Sequence, residues 1–416
     1  MKTKHNVSEA RPGSEEELRL ENYLPHFQPI IKLSSGDIVG YEALARQRDQ
    51  AGNIVSAGGL FFNPQVSKSS KLSVDRSLRE EAIEHFALRP GSGFLSLNIS
   101  PDWVDLLSDD MTSPTVKMIE RLGLDPSRVV IEITERNGNL HNLKRLTREY
   151  HKAGFKVAVD DFGTGASQVD RLIALQPDYI KLDRALFRAA SLGGPEADVV
   201  LAIATIASRN GCKVICEGIE TPEEFHFAIE CGADYLQGWL FQAAEGQLKP
   251  ADTYQHMVRS LKQSYLLRKS QRHLTLAKHN RCVAEEVERL SMLLGFNLDL
   301  TGLMDAEDCG RMHQLGVLRY YICDPTGWQV SPNYEVGAEK VSADASLSGK
   351  NLNHRPYFPL LHAMHQLDTQ HIVVSEPYKD SVSDATCKTF GVFLSAEQVL
   401  LVDVLTSESV LFLSNP

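Results

Sequence analysis

The chain has 416 residues, of which 43 are Lys or Arg and 54 are Asp or Glu, so its formal net charge is -11. This length predicts one large domain and one smaller domain, and the 43% of hydrophobic residues is enough for a globular core. The acidic balance argues against general binding to nucleic acid or to anionic lipid. It is compatible with a small phosphate ligand where local cations outweigh the net charge.

The cysteines and the apolar stretches indicate a cytoplasmic protein. Seven cysteines are scattered along the chain and odd in number, which is typical of reduced thiols. Cys212 and Cys216 are close in sequence, but no second Cys or His pair completes a zinc site. No apolar stretch approaches the ~20 residues of a membrane span, and the start lacks the apolar core of a signal peptide. We expect residues 1–16 to form a disordered tail.

The first half of the chain has the pattern of a barrel. Two apolar segments, at 28–31 and 38–46, predict a hairpin at the start of the fold. Strand-like runs then alternate with helix-length polar segments, which predicts parallel strands with crossover helices. About eight strands over ~230 residues fit a TIM-like (β/α)8 barrel, which we place at residues 17–249. The strand-like runs are 94–100, 129–135, 156–162, 179–183, 214–220 and 235–241.

These runs each carry an ionisable or amide side chain near the C-terminal end. Because the carboxyl ends of parallel barrel strands meet on one face, where barrel enzymes build their sites, we expect the side chains to converge. If each were instead paired separately in the core, many buried ion pairs would be needed, each opposed by desolvation. The set is Asn98, Glu132, Asp160, Asp161, Lys181, Glu217 and Gln237.

The adjacent carboxylates of Asp160 and Asp161 are the most distinctive pair in this set. Side by side at the end of an apolar strand, they repel each other and lose hydration, and a divalent cation between them removes that cost. Taken alone, the pair is more typical of a turn that caps the next helix. Glu42 lies inside an apolar strand and needs a positive partner, for which Arg46, four residues on, is one candidate.

After Pro250 the pattern changes. Residues 251–294 contain no Gly or Pro and have apolar residues at three- or four-residue spacing, so we predict one long helix within a connecting segment, 250–296. A helix of this length either pairs with a copy of itself, giving a homodimer, or braces the barrel. Residues 297–416 predict a smaller α+β domain with antiparallel strands at 317–324, 372–375, 388–394 and 399–405.

Residues 17–249 resemble the EAL-domain family of cyclic di-GMP phosphodiesterases. The signature tripeptide stands here as Glu42-Ala43-Leu44, followed by Arg46, and seven further motifs match in order. Any single motif is weak, but the ordered set is specific. The others are Gln28-Pro29-Ile30, Asn98-Ile99-Ser100, Glu132-Ile133-Thr134-Glu135, Asp160-Asp161-Phe162-Gly163-Thr164-Gly165, Lys181-Leu182-Asp183, Glu217-Gly218-Ile219-Glu220-Thr221 and Gln237-Gly238.

The resemblance implies hydrolysis of cyclic di-GMP to linear pGpG by two Mg²⁺ or Mn²⁺ ions. Oxygen donors without clustered Cys or His suit these metals. Lys181 would orient or deprotonate the attacking water or offset phosphate charge, Glu217 would complete the metal and water network, and Glu135 would anchor the loop after the paired aspartates through Ser167. The implied metal ligands are Glu42, Asn98, Glu132, Asp160, Asp161 and Glu217, and the implied substrate contacts are Gln28, Arg46, Glu220 and Gln237.

One loop departs from the family pattern. Ala166 stands where an aromatic residue is common, and the sequence at 167–171 replaces a more apolar run. Because the resemblance implies that this loop couples dimerisation to metal binding, low or conditional activity is expected. A non-hydrolysing cyclic di-GMP receptor that signals through the long helix is therefore an alternative. An unrelated phosphate-handling barrel enzyme is another.

The tail resembles the C-terminal domain of the YkuI-like two-domain subgroup of this family. The likeness rests on Arg355-Pro356-Tyr357-Phe358 and Glu376-Pro377-Tyr378 and implies a PAS-like (Cache-like) sensor domain for an unnamed small ligand. Arg355, Tyr357 and Tyr378 would line the ligand pocket, and Asp403 would face an amine. The alternative is that Arg355 pairs internally and the aromatic residues are core.

Overall fold

A computed structural model describes residues 19–88, 93–99, 113–134, 140–163, 168–295, 304–367, 371–380 and 383–406. The chain divides into two compact units, Met1–Tyr265 and Leu266–Pro416. The predicted tail at 1–16, Glu135, and Ala166 with Ser167 lie outside the described residues. The domain boundaries given above remain predictions.

The first unit is a closed barrel of eight strands, so the predicted TIM-like fold is confirmed. β1 is antiparallel to β2, as the predicted hairpin requires, and it is also antiparallel to its other neighbour, β9. The remaining barrel neighbours pair in parallel. β3 extends β2 outside the barrel. The strands are β1 (Tyr23–Lys32), β2 (Ile38–Arg48), β3 (Ile54–Ser56), β4 (Phe94–Ile99), β5 (Val129–Thr134), β6 (Lys156–Phe162), β7 (Tyr179–Leu182), β8 (Lys213–Cys216) and β9 (Tyr235–Leu236).

Helices cover the outside of the barrel. Two of them begin directly after site-bearing strands and are fixed by side-chain caps. Asp183 accepts from the Leu186 amide, and Thr221 with Glu224 forms a complete capping box. The helices are α1 (Gly58–Phe62), α2 (Lys68–Ala87), α3 (Pro114–Leu122), α4 (Leu140–Lys152), α5 (Gln168–Leu175), α6 (Arg184–Ser191), α7 (Pro195–Arg209) and α8 (Pro222–Glu230).

An aromatic cluster fills the interior of the barrel near the N-terminal ends of its parallel strands. The rings of Phe94, Tyr179 and Tyr235 lie 5.6–6.3 Å apart, centroid to centroid. Gly40 leaves room for this cluster, because a Cβ there would come within 2.7 Å of the Phe94 ring. Side chains two residues apart on a strand share a face. The residue two positions further along each strand therefore also points inward, one layer nearer the carboxyl ends.

The long helix α9 (Gln255–Leu294) crosses the boundary between the two units. It begins later than the apolar spacing predicted, because residues 251–254 form a turn in which the Thr253 amide donates to the Pro250 carbonyl. Its first turns pack on the barrel through Val258. His226 of α8 lies 3.2 Å from the Leu261 carbonyl and 3.0 Å from Ser264 Oγ.

The second unit is an antiparallel sheet with helices on both faces, which confirms the predicted α+β class. The last turns of α9 and helix α10 (Ala306–Gln314) pack on one face, and α11 (Tyr357–Leu367) packs on the other. In spatial order the strands are β12 (Val341–Asp344), β11 (Asn333–Val336), β10 (Val317–Cys323), β16 (Gln398–Leu405), β15 (Thr386–Ser395) and β13 (Val373–Val374), while β14 (Tyr378–Lys379) pairs with β15.

Among the described residues, no single helix combines the length and the apolar character needed to cross a membrane. The helices α6 and α7 pass that test only as a pair, which is bent by 119°.

Candidate active site

The polar residues predicted at the strand ends form one layer directly above the aromatic cluster. Each stands two positions beyond a residue of that cluster or its surroundings: Glu42 follows Gly40, Lys181 follows Tyr179, and Gln237 follows Tyr235. Alternation along the strands therefore brings together residues that are as much as 195 positions apart in the chain. An apolar floor thus lies beneath a polar layer at the barrel mouth.

Lys181 lies at the centre of this layer and is 1% exposed. Four carboxylates surround its ammonium group. The Nζ atom lies 2.5 Å from Glu217 Oε1, 2.8 Å from Glu132 Oε2, 3.2 Å from Glu42 Oε2 and 3.5 Å from Asp160 Oδ1. When all five groups are ionised, they leave three net negative charges in a buried space.

Amide side chains hold Glu42 in a fixed position. Asn98 Nδ2 donates to Glu42 Oε1 at 2.7 Å, and Gln237 Nε2 donates to Glu42 Oε2 at 2.6 Å. Gln237 Nε2 also donates to Gln28 Oε1 at 3.1 Å. The signature glutamate is thus bonded through both of its oxygens, and it is tied to two residues that the sequence assigned to metal and substrate.

Ser96 is a member of the layer that sequence reasoning missed. Its hydroxyl donates to Glu132 Oε1 at 2.5 Å, and both residues are buried. Ser96 faces inward because it lies two residues before Asn98 on β4. The strand period held the necessary signal, since Ser96 stands two residues after Phe94 of the aromatic cluster, as Lys181 does after Tyr179.

The electrostatics of the layer reflect an excess of carboxylates. Burial raises the pKa of Glu132 well above 4.5, and the charge of Glu42 adds to this. Burial likewise raises the pKa of Glu217 to about 8, with Asp160 and Glu42 adding to the effect. For Glu42, burial alone would raise the pKa, but Lys181 and the hydrogen-bond donors lower it below 4.5. Burial opposes the charge of Lys181, yet the four carboxylates raise its pKa well above 10.5.

The donor set of the layer fits a hard divalent cation. Asp160 Oδ1 is buried without a hydrogen-bond partner, and the other nearby donors are carboxylate and amide oxygens, which Mg²⁺ and Mn²⁺ prefer. Across the described ranges, no three Asp, Glu, His or Cys side chains already stand at metal-binding spacing. The ammonium of Lys181 lies among the carboxylates and supplies positive charge there.

Asp161 follows Asp160 in a left-handed conformation, with φ of 54°. The pairing of β6 with β7 shifts register between Val159 and Phe162, so the strand alternation is broken at the two aspartates. Aspartate is one of the few residues that tolerate this backbone conformation, and irregularities of this kind re-aim side chains next to active sites. Both aspartates are half-buried.

Two predicted substrate residues stand nearer the rim. Arg46 lies four positions after Glu42 on β2 and so faces the same side; its Nη1 donates to the Ala45 carbonyl at 2.9 Å. Glu220 pairs with Arg184, and its backbone amide donates to Glu224 Oε2 at 2.6 Å. The structure thus brings Gln28, Glu42 and Gln237 into direct contact, with Arg46 and Glu220 further out on the strand ends and loops.

In the second unit, one of the four predicted sensor residues, Asp403, is a buried carboxylate that contacts another of them, Tyr378. Asp403 Oδ1 accepts from Thr389 Oγ1 at 2.8 Å and from Tyr378 at 3.1 Å, while Arg319 Nε lies 3.3 Å from Oδ2. The Arg355 guanidinium lies 5.5 Å from the centroid of the Tyr378 ring. Asp403 therefore already has an internal cationic partner, Arg319.

Tyr357, the remaining predicted sensor residue, is buried in the apolar cluster beneath α11. Burial raises the pKa of its hydroxyl to about 12, and Asp403 adds to this effect. Arg319 also pairs with Asp380. The predicted sensor residues thus lie close together. The buried carboxylate of Asp403 already has hydrogen-bond and ion-pair partners within the unit.

The comparison that decides the family is a match of residues 14–244 to the family model described as EAL domain, which spans more than half of the chain. The chain belongs to the EAL domain family. A second family model, described as an EAL-domain associated signalling protein domain, matches residues 304–414. Together the two matches account for the barrel and for most of the second unit.

Relatives of this EAL protein fall into two groups. The uncharacterized EAL-domain containing protein YkuI of Bacillus subtilis (strain 168) is 24% identical over 394 residues, which cover 92% of this chain and 95% of YkuI. The probable cyclic di-GMP phosphodiesterase PdeN of Escherichia coli (strain K12) is 28% identical over 55% of this chain and 45% of PdeN. The cyclic di-GMP phosphodiesterase PdeL of the same strain is 27% identical over 54% of this chain and 63% of PdeL. This EAL protein thus spans less than two thirds of either Escherichia coli relative.

A solved structure matches along almost the whole chain of this EAL protein. The crystal structure of YkuI in complex with substrate c-di-GMP and calcium has a TM-score of 0.80 at 23% identity, and the match covers 95% of this chain and 97% of that chain. At this level of identity the match establishes that the two proteins share a fold.

Proposed function

We propose that this EAL protein hydrolyses cyclic di-GMP to linear pGpG with the help of divalent metal ions. The observation that carries the proposal is the layer of four carboxylates around Lys181 at the mouth of an EAL barrel. The relatives PdeN and PdeL, named as a probable cyclic di-GMP phosphodiesterase and as a cyclic di-GMP phosphodiesterase, support the substrate. Further support comes from the signature tripeptide Glu42-Ala43-Leu44 and the seven further motifs of the EAL family that the sequence contains in order.

The charge of the layer supports a requirement for metal. A phosphodiester is an anion, and the layer holds four carboxyl groups against one ammonium group, so its ionised carboxylates would repel the phosphate. Bound Mg²⁺ or Mn²⁺ would supply positive charge at the phosphate and lower the pKa of a bound water. We propose that two such ions are held by oxygen donors, one of which is Asp160 Oδ1, a buried atom without a hydrogen-bond partner. The proposed ligands are Glu42, Asn98, Glu132, Asp160, Asp161 and Glu217.

The proposed roles of the protein's other residues follow from charge and position. Lys181, with its raised pKa, remains protonated at neutral pH, so it acts as a cation that offsets charge on carboxylates or phosphate and orients water by donating hydrogen bonds. We propose that Glu217 completes the metal and water network as a carboxylate, because metal binding displaces the proton that burial otherwise retains by raising the pKa of Glu217 to about 8. We also propose that Glu135 anchors the loop after the paired aspartates.

Substrate binding is proposed for the residues that line the same mouth. Arg46 would bind a phosphate oxygen by charge-assisted hydrogen bonds, and Gln28 is held toward the layer by Gln237. Glu220 and Gln237 would position the metal and substrate groups around them.

The test measures turnover of cyclic di-GMP with Mg²⁺, with Mn²⁺ and with a chelator, in the wild type and in Asp160→Asn. We expect metal-dependent formation of pGpG and a loss of at least about a hundredfold in kcat/KM for the variant, because an anionic oxygen is removed from the centre. Asp125 caps the short 3-10 turn that precedes β5, at the end of this strand away from the candidate site. The control variant Asp125→Asn should therefore behave as the wild type. Binding of cyclic di-GMP without turnover under every metal condition would contradict hydrolysis.

That last outcome would support the second candidate, a non-hydrolysing cyclic di-GMP receptor. The sequence at 166–171, which departs from the family pattern, favours it. Ready turnover that is lost in Asp160→Asn would exclude it.

We further propose that the second unit regulates the barrel and that the protein is a homodimer. The match to an EAL-domain associated signalling domain supports regulation. In the middle of α9, Leu266, Leu267 and Leu274 are 63%, 60% and 56% exposed, which supports pairing of the helix with a second copy. Deleting residues 297–416 should change turnover, and the full-length chain should have the solution mass of a dimer; unchanged kinetics after the deletion would contradict regulation, and a monomeric mass of the full-length chain would contradict the homodimer.

A further inference from the structure

Trp239 and Arg184 lie next to the proposed active site and have no role so far; Glu220 lies beside them. Trp239 lies two positions after Gln237, Arg184 lies three after Lys181, and Glu220 lies three after Glu217. Those site residues stand on or directly after β9, β7 and β8, which are neighbours in the barrel. At about 3.3 Å per residue, a few residues beyond a strand end reach the rim of the mouth.

At this rim, Trp239 presents an exposed aromatic surface. The indole is 65% exposed, although tryptophan side chains are highly buried on average. The Arg184 guanidinium lies over the ring, 5.2 Å from the centroid. The arginine is held in turn by its ion pair with Glu220, and it packs against Gly218, where a Cβ would come within 2.3 Å of Arg184 Cγ.

The backbone on either side of Trp239 is also fixed. Gly238 lies so close to Ile219 that a Cβ at position 238 would stand 2.1 Å from the Ile219 carbonyl oxygen. The Leu240 amide donates to that same oxygen at 2.9 Å, and the Ile219 amide donates to the Gln237 carbonyl at 3.1 Å. Trp239 is therefore presented by a rigid segment bonded on both sides, so little conformational entropy is lost when a ligand packs on it.

We infer that Trp239, backed by Arg184, is a stacking platform for a nucleobase of the substrate. This inference rests on the proposed function and deepens it, because it assigns to the rim the recognition of a base, while the layer around Lys181 acts on the phosphodiester. The Arg184 side chain packs on the indole, and the exposed surface receives the planar base. Every base has a π-face and tryptophan is the best aromatic partner, so stacking gives affinity for nucleotides over diesters without a base.

The decisive comparison uses two substrates and two binding probes on the full-length chain. The substrates are cyclic di-GMP and bis(p-nitrophenyl) phosphate, which has no base, and the probes are cyclic di-GMP in chelator and GMP. For Trp239→Ala we expect KM for cyclic di-GMP to rise roughly five- to hundredfold relative to KM for the base-free diester. Trp239→Phe should restore most of the difference, because a phenyl ring still stacks.

Tryptophan fluorescence provides a readout that a merely structural role would not move. The chain has three tryptophans, and Trp328 in the second unit, 51% exposed, is the matched control. Adding cyclic di-GMP or GMP should quench the wild type and Trp328→Phe, while Trp239→Phe should lose the quench. Equal KM effects on both substrates, or a quench that persists in Trp239→Phe, would overturn the platform.

The outcomes separate this inference from the proposed function. If the wild type cleaves neither substrate but nucleotide binding still depends on Trp239, the stacking role of Trp239 is supported and the proposed hydrolysis is contradicted. If the wild type cleaves cyclic di-GMP and Trp239→Ala leaves the ratio of the two KM values unchanged, the proposed hydrolysis is supported and the stacking role of Trp239 is contradicted. Thermal unfolding of Trp239→Ala should match that of the wild type, since an exposed side chain is removed.

Discussion

Glu217 should make the metal-free protein less stable as the pH rises. Burial, with the charges of Asp160 and Glu42, raises the pKa of Glu217 from 4.5 to about 8. Between these two pH values the folded protein holds a proton that the unfolded chain has lost. The free energy of unfolding therefore falls as pH increases through that interval. The change that tests this is Glu217→Gln, which keeps the shape and removes the titration.

The magnitude follows from the size of the shift. A displacement from 4.5 to about 8 corresponds to roughly 5 kcal/mol at 1.36 kcal/mol per pH unit if Glu217 titrates alone. Because neighbouring carboxylates share protons, we expect about half, or about 2–3 kcal/mol. The pKa of Glu132 is also raised, so the variant should keep part of the fall. Glu42, whose pKa is lowered, and Lys181, whose pKa is raised, do not titrate between pH 5 and 8.

The assay is urea unfolding in chelator at several pH values from 5 to 8. The wild type should lose about 2–3 kcal/mol more than Glu217→Gln across this range. Glu288→Gln, which changes an exposed glutamate on α9, should match the wild type. At pH 8, Mg²⁺ or Mn²⁺ at about a hundred times its dissociation constant should add about 2.7 kcal/mol to the wild type, and much less to Glu217→Gln. Parallel pH profiles for the wild type and Glu217→Gln would refute the reasoning.

Three further substitutions test the scaffold of the two units. Ser96→Ala removes the donor to Glu132 and should cost about 1–3 kcal/mol in thermal unfolding; an unchanged Tm would show that the hydrogen bond is not needed. Gly238→Ala should lower the free energy of unfolding by at least about 2 kcal/mol and reduce cyclic di-GMP turnover, since its Cβ would stand 2.1 Å from a carbonyl oxygen. The control Gly59→Ala, with open space around it, should change neither quantity. Arg319→Met leaves two buried aspartates without their cation and should cost about 3–5 kcal/mol, measured by urea unfolding; a loss below about 1 kcal/mol would contradict that account.

The barrel was predictable because its strand ends repeat one pattern. Each strand-like run placed a polar residue two positions after an inward-facing apolar one, and that period survives in the structure as two layers. The pattern did not reveal which group occupies the centre. Lys181 and the acids share a face by sequence, but only the closed geometry shows four carboxylates converging on its ammonium.

The second unit shows why the remainder could not be predicted. Sequence reasoning expected Asp403 to face an amine ligand, whereas the register of β10 with β16 sets it directly opposite Arg319. That pairing joins residues 84 positions apart and depends on a register shift between Val317 and Arg319. The strands β11 and β12 were missed because only two of the four residues in each are apolar, whereas the equally short β7 and β8 have three. Four residues with so few apolar positions carry too little periodicity to detect.

The composition of the layer is itself an argument for function. A barrel selected for stability alone would fill this position with apolar side chains, because a buried ion pair rarely outweighs its desolvation. Here one ammonium is set among four carboxylates, so burial and mutual repulsion raise the pKa values of Glu132 and Glu217. Asn98 and Ser96 then donate hydrogen bonds that keep two of the acids in place. A buried cluster of carboxyl groups that lowers stability and is nevertheless held in place by hydrogen bonds is typical of a functional site, here one that binds further positive charge.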